Sequence, residues 1–232
     1  MKTRLSVLAS LILPALAMGG ATAPSAPTGT ISVNTSLVRV GTSPIVSWNI
    51  IHPAPIIDVV DVDPDDNFTP KKQVKMDVRI IGADYRYDSR TYKPVRLEVR
   101  VAGGSWTRIF SGTQSSVKPD QIIYTRTVAS GQKVEFRFQG AQDPNGGGWN
   151  PYRYGPDQMV VAMVQGQRPP AYAPYLSKNS VTSYLTPYLN DDGTMDLGPR
   201  DIIYLTELTN TDTDAAGFDL QDLVVMVTVT EQ

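Results

Sequence analysis

The chain has 232 residues, a formal charge of −2, one histidine and no cysteine. The lack of cysteine excludes disulfides, thiolate metal sites, cysteine nucleophiles and lipid attachment through cysteine, and a single histidine excludes histidine-rich metal centres. Lys and Arg are not clustered, which argues against a nucleic-acid partner.

The first residues have the layout of an export signal. Lys2 and Arg4 supply positive charge, and Leu5 to Met18 is an apolar run followed by small residues. This run is shorter than the roughly 20 residues that cross a bilayer, and it contains Pro14, so a permanent anchor is the weaker alternative. We therefore expect residues 1–23 to be cleaved and the protein to be secreted, periplasmic or on the cell surface, with no transmembrane segment left. The mature chain would carry 19 basic and 23 acidic residues.

Period-two alternation predicts β-strands from the start of the mature chain. Ile31 to Val40 and Pro44 to Ile50 form two leading strands, and Trp48 is expected in an apolar core. Val74 to Ile80 alternates strictly between apolar and charged residues, which indicates a strand with one buried face.

Turn residues between the next strands predict hairpins. Val95 to Val101 leads through Gly103 and Gly104 into a strand from Trp106 to Phe110. A second hairpin is expected from Ile122 to Val128 and Val134 to Phe138, since a Ser-Gly turn lies between them.

The last third of the chain predicts a connector, a helix and more strands. Met159 to Val164 is a continuous apolar run, typical of a strand that is covered on both faces, and a proline-rich connector follows. Val181 to Leu189 has helical spacing, although Pro187 limits it to about two turns. The final strands are predicted at Asp201 to Leu208 and Leu223 to Thr230.

These elements predict a mainly β fold, an antiparallel β-sandwich of immunoglobulin-like or jelly-roll-like type with one short helix near the C-terminus. A barrel is the structural alternative. The predicted organisation is a signal at 1–23, the sandwich at 24–170, and a connector, short helix and C-terminal strands at 171–232 that pack back on the sandwich.

The C-terminal third resembles a family of secreted bacterial β-rich proteins of unknown function. Asp191 to Gly193, Gly198 to Leu208 and Phe218 to Val225 carry this resemblance. It extends over most of the mature chain, including Gly41 to Pro44 and Ser105-Trp106. The acidic loop before the final apolar strand also resembles secreted domains in which such loops are suspected calcium sites. The resemblance implies a calcium hypothesis and no activity.

Catalytic motifs are missing from the sequence. His52 precedes Pro53 in a predicted loop, and no Gly-x-Ser-x-Gly motif accompanies it. Gly146 to Gly148 lacks the Lys-Ser or Lys-Thr of a phosphate loop. The sequence does not exclude a pair of carboxylates for glycoside hydrolysis, because it does not fix the distance between acidic side chains. We predict no catalytic residue.

Aspartates concentrate in two predicted loops, and calcium prefers several oxygen ligands. The predicted ligands are Asp61, Asp63 and Asp65 in the first loop, and Asp212, Asp214, Asp219 and Asp222 in the second. The first loop lacks the glycine and terminal glutamate of an EF-hand. The alternative is that these residues cap turns and keep strand edges soluble.

Aromatic residues form a second candidate site. Trp149, Tyr152 and Tyr154 share one glycine- and proline-rich loop, and flat rings stack on sugars or anchor protein interfaces. Alternatively, these side chains pack the loop against the hydrophobic core. The sequence therefore predicts a non-catalytic structural or adhesive protein, with calcium as the candidate stabilising ion, whose partner is a surface protein, a polysaccharide or another copy of itself. A carbohydrate-binding or polysaccharide-active protein is the alternative.

Overall fold

The computed structural model describes residues 28–33, 46–51, 55–155, 159–170, 184–215 and 217–232. The predicted export signal, His52 and Val181 lie outside these residues. The described part of the chain contains twelve strands: β1 (Thr28–Val33), β2 (Val46–Ile51), β3 (Val60–Val62), β4 (Phe68–Pro70), β5 (Val74–Gly82), β6 (Val95–Val101), β7 (Thr107–Gly112), β8 (Ile122–Val128), β9 (Val134–Gly140), β10 (Val160–Met163), β11 (Asp201–Thr206) and β12 (Val224–Glu231).

Ten of these strands form two five-stranded antiparallel sheets. The first sheet has the order β10-β11-β12-β5-β8, and the second has the order β3-β4-β9-β6-β7. Apolar residues from both sheets share one buried cluster. Phe136 and Phe138 of β9 lie 5.0 and 6.2 Å, between ring centroids, from Tyr204 of β11. This packing confirms the antiparallel β-sandwich.

Around β11 the first sheet is buried on both faces, whereas β5 and β8 turn charged or exposed side chains outward. Ile202 and Tyr204 of β11 belong to the core between the sheets, while Ile203 and Leu205 belong to a second buried cluster on the opposite face. Chain segments after β10 cover that opposite face with Leu185, Met195, Leu197, Phe218 and Leu220. A strand enclosed in this way reads as a continuous apolar run.

The helices are shorter than the sequence predicts. Where a two-turn helix is expected, the described residues form a turn and a single 3₁₀ turn at Thr186–Tyr188. Pro187 has no N–H and ends helical bonding early, but Leu185 is still buried as its spacing indicates. A four-residue α-helix, α1 (Ile56–Val59), precedes β3 and was not expected. No helix in the described ranges is long and apolar enough to span a membrane.

One predicted hairpin is correct and the other is wrong. The β6–β7 turn has positive φ at Ala102 and Gly103, as a type I′ turn requires. In contrast, β8 pairs with β5 in the first sheet, whereas β9 pairs with β4 and β6 in the second. The turn at Gly131 thus carries the chain from one sheet to the other. Local turn chemistry fits either route, and the choice depends on strand partners distant in sequence.

The placement of Trp48 in the core is also wrong. β1 and β2 form a separate two-stranded sheet in which Ile31 stands opposite Trp48. These two side chains are 76% and 68% exposed. Alternation correctly gives the hairpin one apolar face, but neither five-stranded sheet includes this hairpin.

Candidate functional site

The outward face of the second sheet carries charged pairs directly across the β6–β9 ladder. Valine and leucine residues of β6 point into the core, so Arg96, Glu98 and Arg100 point outward. The register sets Glu98 opposite Arg137 and Arg100 opposite Glu135. Opposite charges at directly paired positions stabilise the ladder.

Glu98 is the centre of this network, and only 5% of the residue is exposed. Its Oε2 accepts hydrogen bonds of 2.8 and 2.5 Å from Nε and Nη2 of Arg137. Its Oε1 accepts from Arg108 Nε at 3.2 Å and from the Tyr152 hydroxyl at 3.3 Å. Burial alone would raise the pKa of Glu98, but the hydrogen bonds and charge of Arg137 outweigh burial and hold that pKa below its usual value.

Aromatic rings stack on the arginines of the same face. The Arg96 guanidinium lies 3.3 Å from the ring centroid of Trp149, and the Arg137 guanidinium lies 3.8 Å from that of Tyr152. The Trp106 ring is shared, with Arg137 at 4.4 Å and Arg100 at 4.5 Å. We call these six residues the arginine–aromatic face. Cation–π contacts of this kind fix both partners in place.

A pocket of about 450 Å³ opens at one end of this face. Its walls include the rings of Trp106 and Tyr154 and the cationic groups of Arg100, Arg137 and Lys133. Gly155 completes the wall, and a Cβ there would collide with the Asp65 carbonyl. This close approach brings the first acidic loop against the loop that carries Tyr154.

The three aromatic residues predicted as ligand contacts do lie on or beside this surface. Trp149 and Tyr152 are partly buried under arginines, and Tyr154 is 56% exposed at the pocket. Sequence reasoning missed Trp106 and the arginines. The signal for them was present, because charged residues alternate with apolar ones along both β6 and β9.

The first group of predicted metal ligands is held by other partners. Asp61 forms a salt bridge with Lys71 at 2.9 Å, and Asp63 forms one with Lys133 at 2.8 Å. Asp63 Oδ1 also accepts the backbone N–H groups of Asp65 and Asn67, so it organises the turn. Asp65 lines the pocket. The structure does not gather these aspartates into one site.

The second group divides into two parts. Asp212 and Asp214 are exposed, and Asp212 caps a local turn by accepting the Asp214 N–H at 3.0 Å. Asp219 and Asp222 instead meet Glu207, with one carboxylate oxygen from each residue within 4.8 Å of the others. Among the described residues, this is the one acidic grouping of three or more that could hold a metal ion. Glu207 was not predicted from the sequence.

Burial dominates the electrostatics of this carboxylate cluster. It raises the pKa of Asp219 to about 6, and the negative charges of Glu207 and Asp84 act in the same direction. The pKa of Asp222 is raised well above its usual value, first by burial and then by the charge of Glu207. Carboxylates held in this way take up a proton or a cation.

The fold and these two regions define an antiparallel β-sandwich with a charged aromatic surface on one sheet and a buried carboxylate cluster beside the other. Comparison of the chain with protein-family models, with curated proteins and with solved structures finds no match. The functional interpretation therefore depends on the residues themselves.

Proposed function

We propose that this chain is an exported, non-catalytic adhesive module that binds acidic polysaccharide on its arginine–aromatic face. Export is supported by the N-terminal charge and hydropathy pattern. The observation that supports binding is the pocket in which Trp106 and Tyr154 stand beside three cationic side chains. Rings stack on the flat faces of sugars, and cationic groups pair with uronate carboxylates.

The arginines are oriented in advance and still have donors to offer. Arg137 uses Nε and Nη2 on Glu98, and Arg100 uses the same two groups on Glu135. A guanidinium has five N–H donors, so each arginine keeps further donors for a ligand. Because internal salt bridges already fix the side chains, less conformational entropy is lost on binding.

The pocket offers an acidic ligand charged N–H donors rather than a net positive charge. Arg100, Lys133 and Arg137 line it, and each of them also forms a salt bridge with a carboxylate of the chain. Glu98 does not supply the protonated acid that glycoside hydrolysis needs, since its pKa is lowered rather than raised. Binding without cleavage is the function that this geometry favours.

Affinity electrophoresis of the folded protein in polygalacturonate, with neutral dextran as the comparison polymer, tests the proposal. We expect retardation in polygalacturonate alone, weakened by salt because exposed charges are screened. Trp106→Ala and Tyr154→Ala should each weaken binding by about 2- to 13-fold, as loss of a ring contact worth about 0.5–1.5 kcal/mol implies.

Tyr87→Ala is the matched control, because Tyr87 is a similarly exposed tyrosine, at 64%, that does not line the pocket. Equal loss of binding in Tyr87→Ala and Tyr154→Ala would show that the pocket is the wrong location. Equal retardation by dextran would show that the ligand is not acidic. Shortening of the polymer during incubation would contradict a non-catalytic role.

A further inference from the structure

We infer that Glu207, Asp219 and Asp222 form a binding site for one divalent cation, calcium, beside the first sheet. This inference goes beyond the proposed function and is independent of it, because none of the three residues belongs to the arginine–aromatic face. It depends on how β11 ends and β12 begins, on an unsatisfied buried oxygen and on the charges around it.

The fold brings the three carboxylates together from both sides of one chain crossing. Glu207 directly follows β11, and Asp222 lies two residues before β12. Backbone bonds tie the crossing: the Thr206 N–H donates to the Leu220 carbonyl at 3.1 Å and the Asp222 N–H to the Thr206 carbonyl at 3.0 Å. The Thr206 hydroxyl donates to the Leu223 carbonyl at 2.8 Å. The carboxylates are therefore fixed by rigid main chain.

The Glu207 side chain has one oxygen that meets no donor. The residue is 1% exposed. Its Oε1 accepts from the N–H groups of Thr209 and Asn210, at 3.1 and 2.9 Å, and from the Thr209 hydroxyl. Its Oε2 is buried without a hydrogen-bond partner. An unpaired buried carboxylate oxygen is costly, and the neighbouring carboxylates of the cluster are acceptors as well when they are ionised.

The cations near the cluster do not pair with it. The Lys93 ammonium interacts with the charges of Asp222 and Glu207 but forms no salt bridge with them, and it lies 4.0 Å from the ring centroid of Tyr85. Arg86 is already bound to Asp84 at 2.5 Å, and Asp84 adds further negative charge near Asp219. Within the described part of the chain, no salt bridge includes Glu207, Asp219 or Asp222.

The chemistry of the ligand follows from this donor set. Three carboxylates offer only oxygen, which suits a hard divalent ion, and they can supply three to six of the six to eight ligands that calcium takes. Magnesium demands a stricter octahedral geometry and gives up its water reluctantly. The competing occupant is a proton shared between Glu207 and Asp222.

The test uses the full mature chain, stripped with EDTA and then given calcium alone. Equilibrium dialysis should show one calcium ion per chain. With a Kd near 0.1 mM, about 10 mM calcium should raise the Tm by about 5–10 °C. Glu207→Gln should lose both effects. The control Asp212→Asn/Asp214→Asn removes two exposed carboxylates from the same loop and should keep both.

Three results would overturn the inference. The first is a wild-type chain that binds no calcium and melts at the same temperature with and without it, which would assign the cluster to a shared proton. The second is full calcium binding by Glu207→Gln. The third is equal loss of binding in the control variant. If Glu207→Gln does not fold, as judged by circular dichroism, the half-buried Asp219→Asn gives the same comparison. None of these results depends on polysaccharide binding.

Discussion

Replacing Glu98 by glutamine tests whether this residue holds the arginine–aromatic face together. The substitution keeps the shape of the side chain and removes its charge from Arg137 and Arg108. Breaking one partner of a buried ion pair costs about 3–5 kcal/mol, whereas an exposed pair is worth about 0–1 kcal/mol. The Glu98 side chain is only 6% exposed, but its partners Arg137 and Arg108 are 23% and 47% exposed.

The expected loss lies between these limits, at about 2 kcal/mol of unfolding free energy, because water reaches both arginines. For a chain of this length the Tm should fall by about 4–8 °C. The matched control is Glu135→Gln, which breaks the neighbouring pair with Arg100 on the same face. Both members of that pair are more exposed than Glu98, so the control should cost about 0.5 kcal/mol.

Urea denaturation followed by circular dichroism measures both variants. Since the pKa of Glu98 is lowered in the folded protein, its stabilisation is present above its unfolded value of 4.5 and is lost as the pH falls through the folded value. The difference between wild type and Glu98→Gln should therefore shrink in acid. Equal losses for Glu98→Gln and Glu135→Gln, or a difference independent of pH, would refute the role of Glu98.

Two further predictions concern the core and the first acidic loop. Phe138→Ala should lower the free energy of unfolding by about 3–5 kcal/mol, because this side chain is fully buried between the sheets. Trp48→Ser on the exposed hairpin should lower it by less than about 0.5 kcal/mol. A larger loss for Trp48→Ser than for Phe138→Ala in urea denaturation would contradict the fold. Burial raises the pKa of Asp66 to about 6, so its stabilisation of the fold is present at low pH and is lost as the pH rises through 6. Asp66→Asn can still accept the Ala162 N–H. After allowance for partial exposure, this variant should be more stable than wild type by about 1 kcal/mol at pH 8 and equally stable near pH 4. A constant Tm difference from pH 4 to pH 8 would count against this prediction.

Local pattern predicted the strands well and their partners poorly. Alternation located β5 and β6 because each has one face in the core, which leaves a period-two record in the sequence. It could not tell that β8 and β9 separate into different sheets, since pairing energy comes from strands far away in the chain. Trp48 illustrates the same limit, because an apolar strand face does not show which part of the chain, if any, packs against it.

The candidate sites show the same division between local and distant information. Asp219 and Asp222 attracted attention through local acidic density. Glu207 was not predicted as a metal ligand because it follows an apolar strand, and only the β11–β12 crossing brings it close to Asp222. Trp106 was assigned to a hairpin strand. Its contact with Arg137 depends on the pairing of β6 with both β7 and β9, and the local sequence pattern does not reveal the second pairing.

The two sheets differ in a way that explains where function can reside. Around β11 the first sheet is apolar on both faces, so β11 presents few side chains to a ligand, and its acidic cluster lies at the crossing where β11 ends. The second sheet buries one face only, and its other face displays charged and aromatic residues. The Cβ atoms of directly paired residues on that face are about 4.5–5.5 Å apart. A polysaccharide chain can lie along such a surface, whereas a single ion fits the enclosed crossing. If both proposals hold, calcium should stabilise the first sheet without changing affinity for polygalacturonate, since the sheets share a core but not a site.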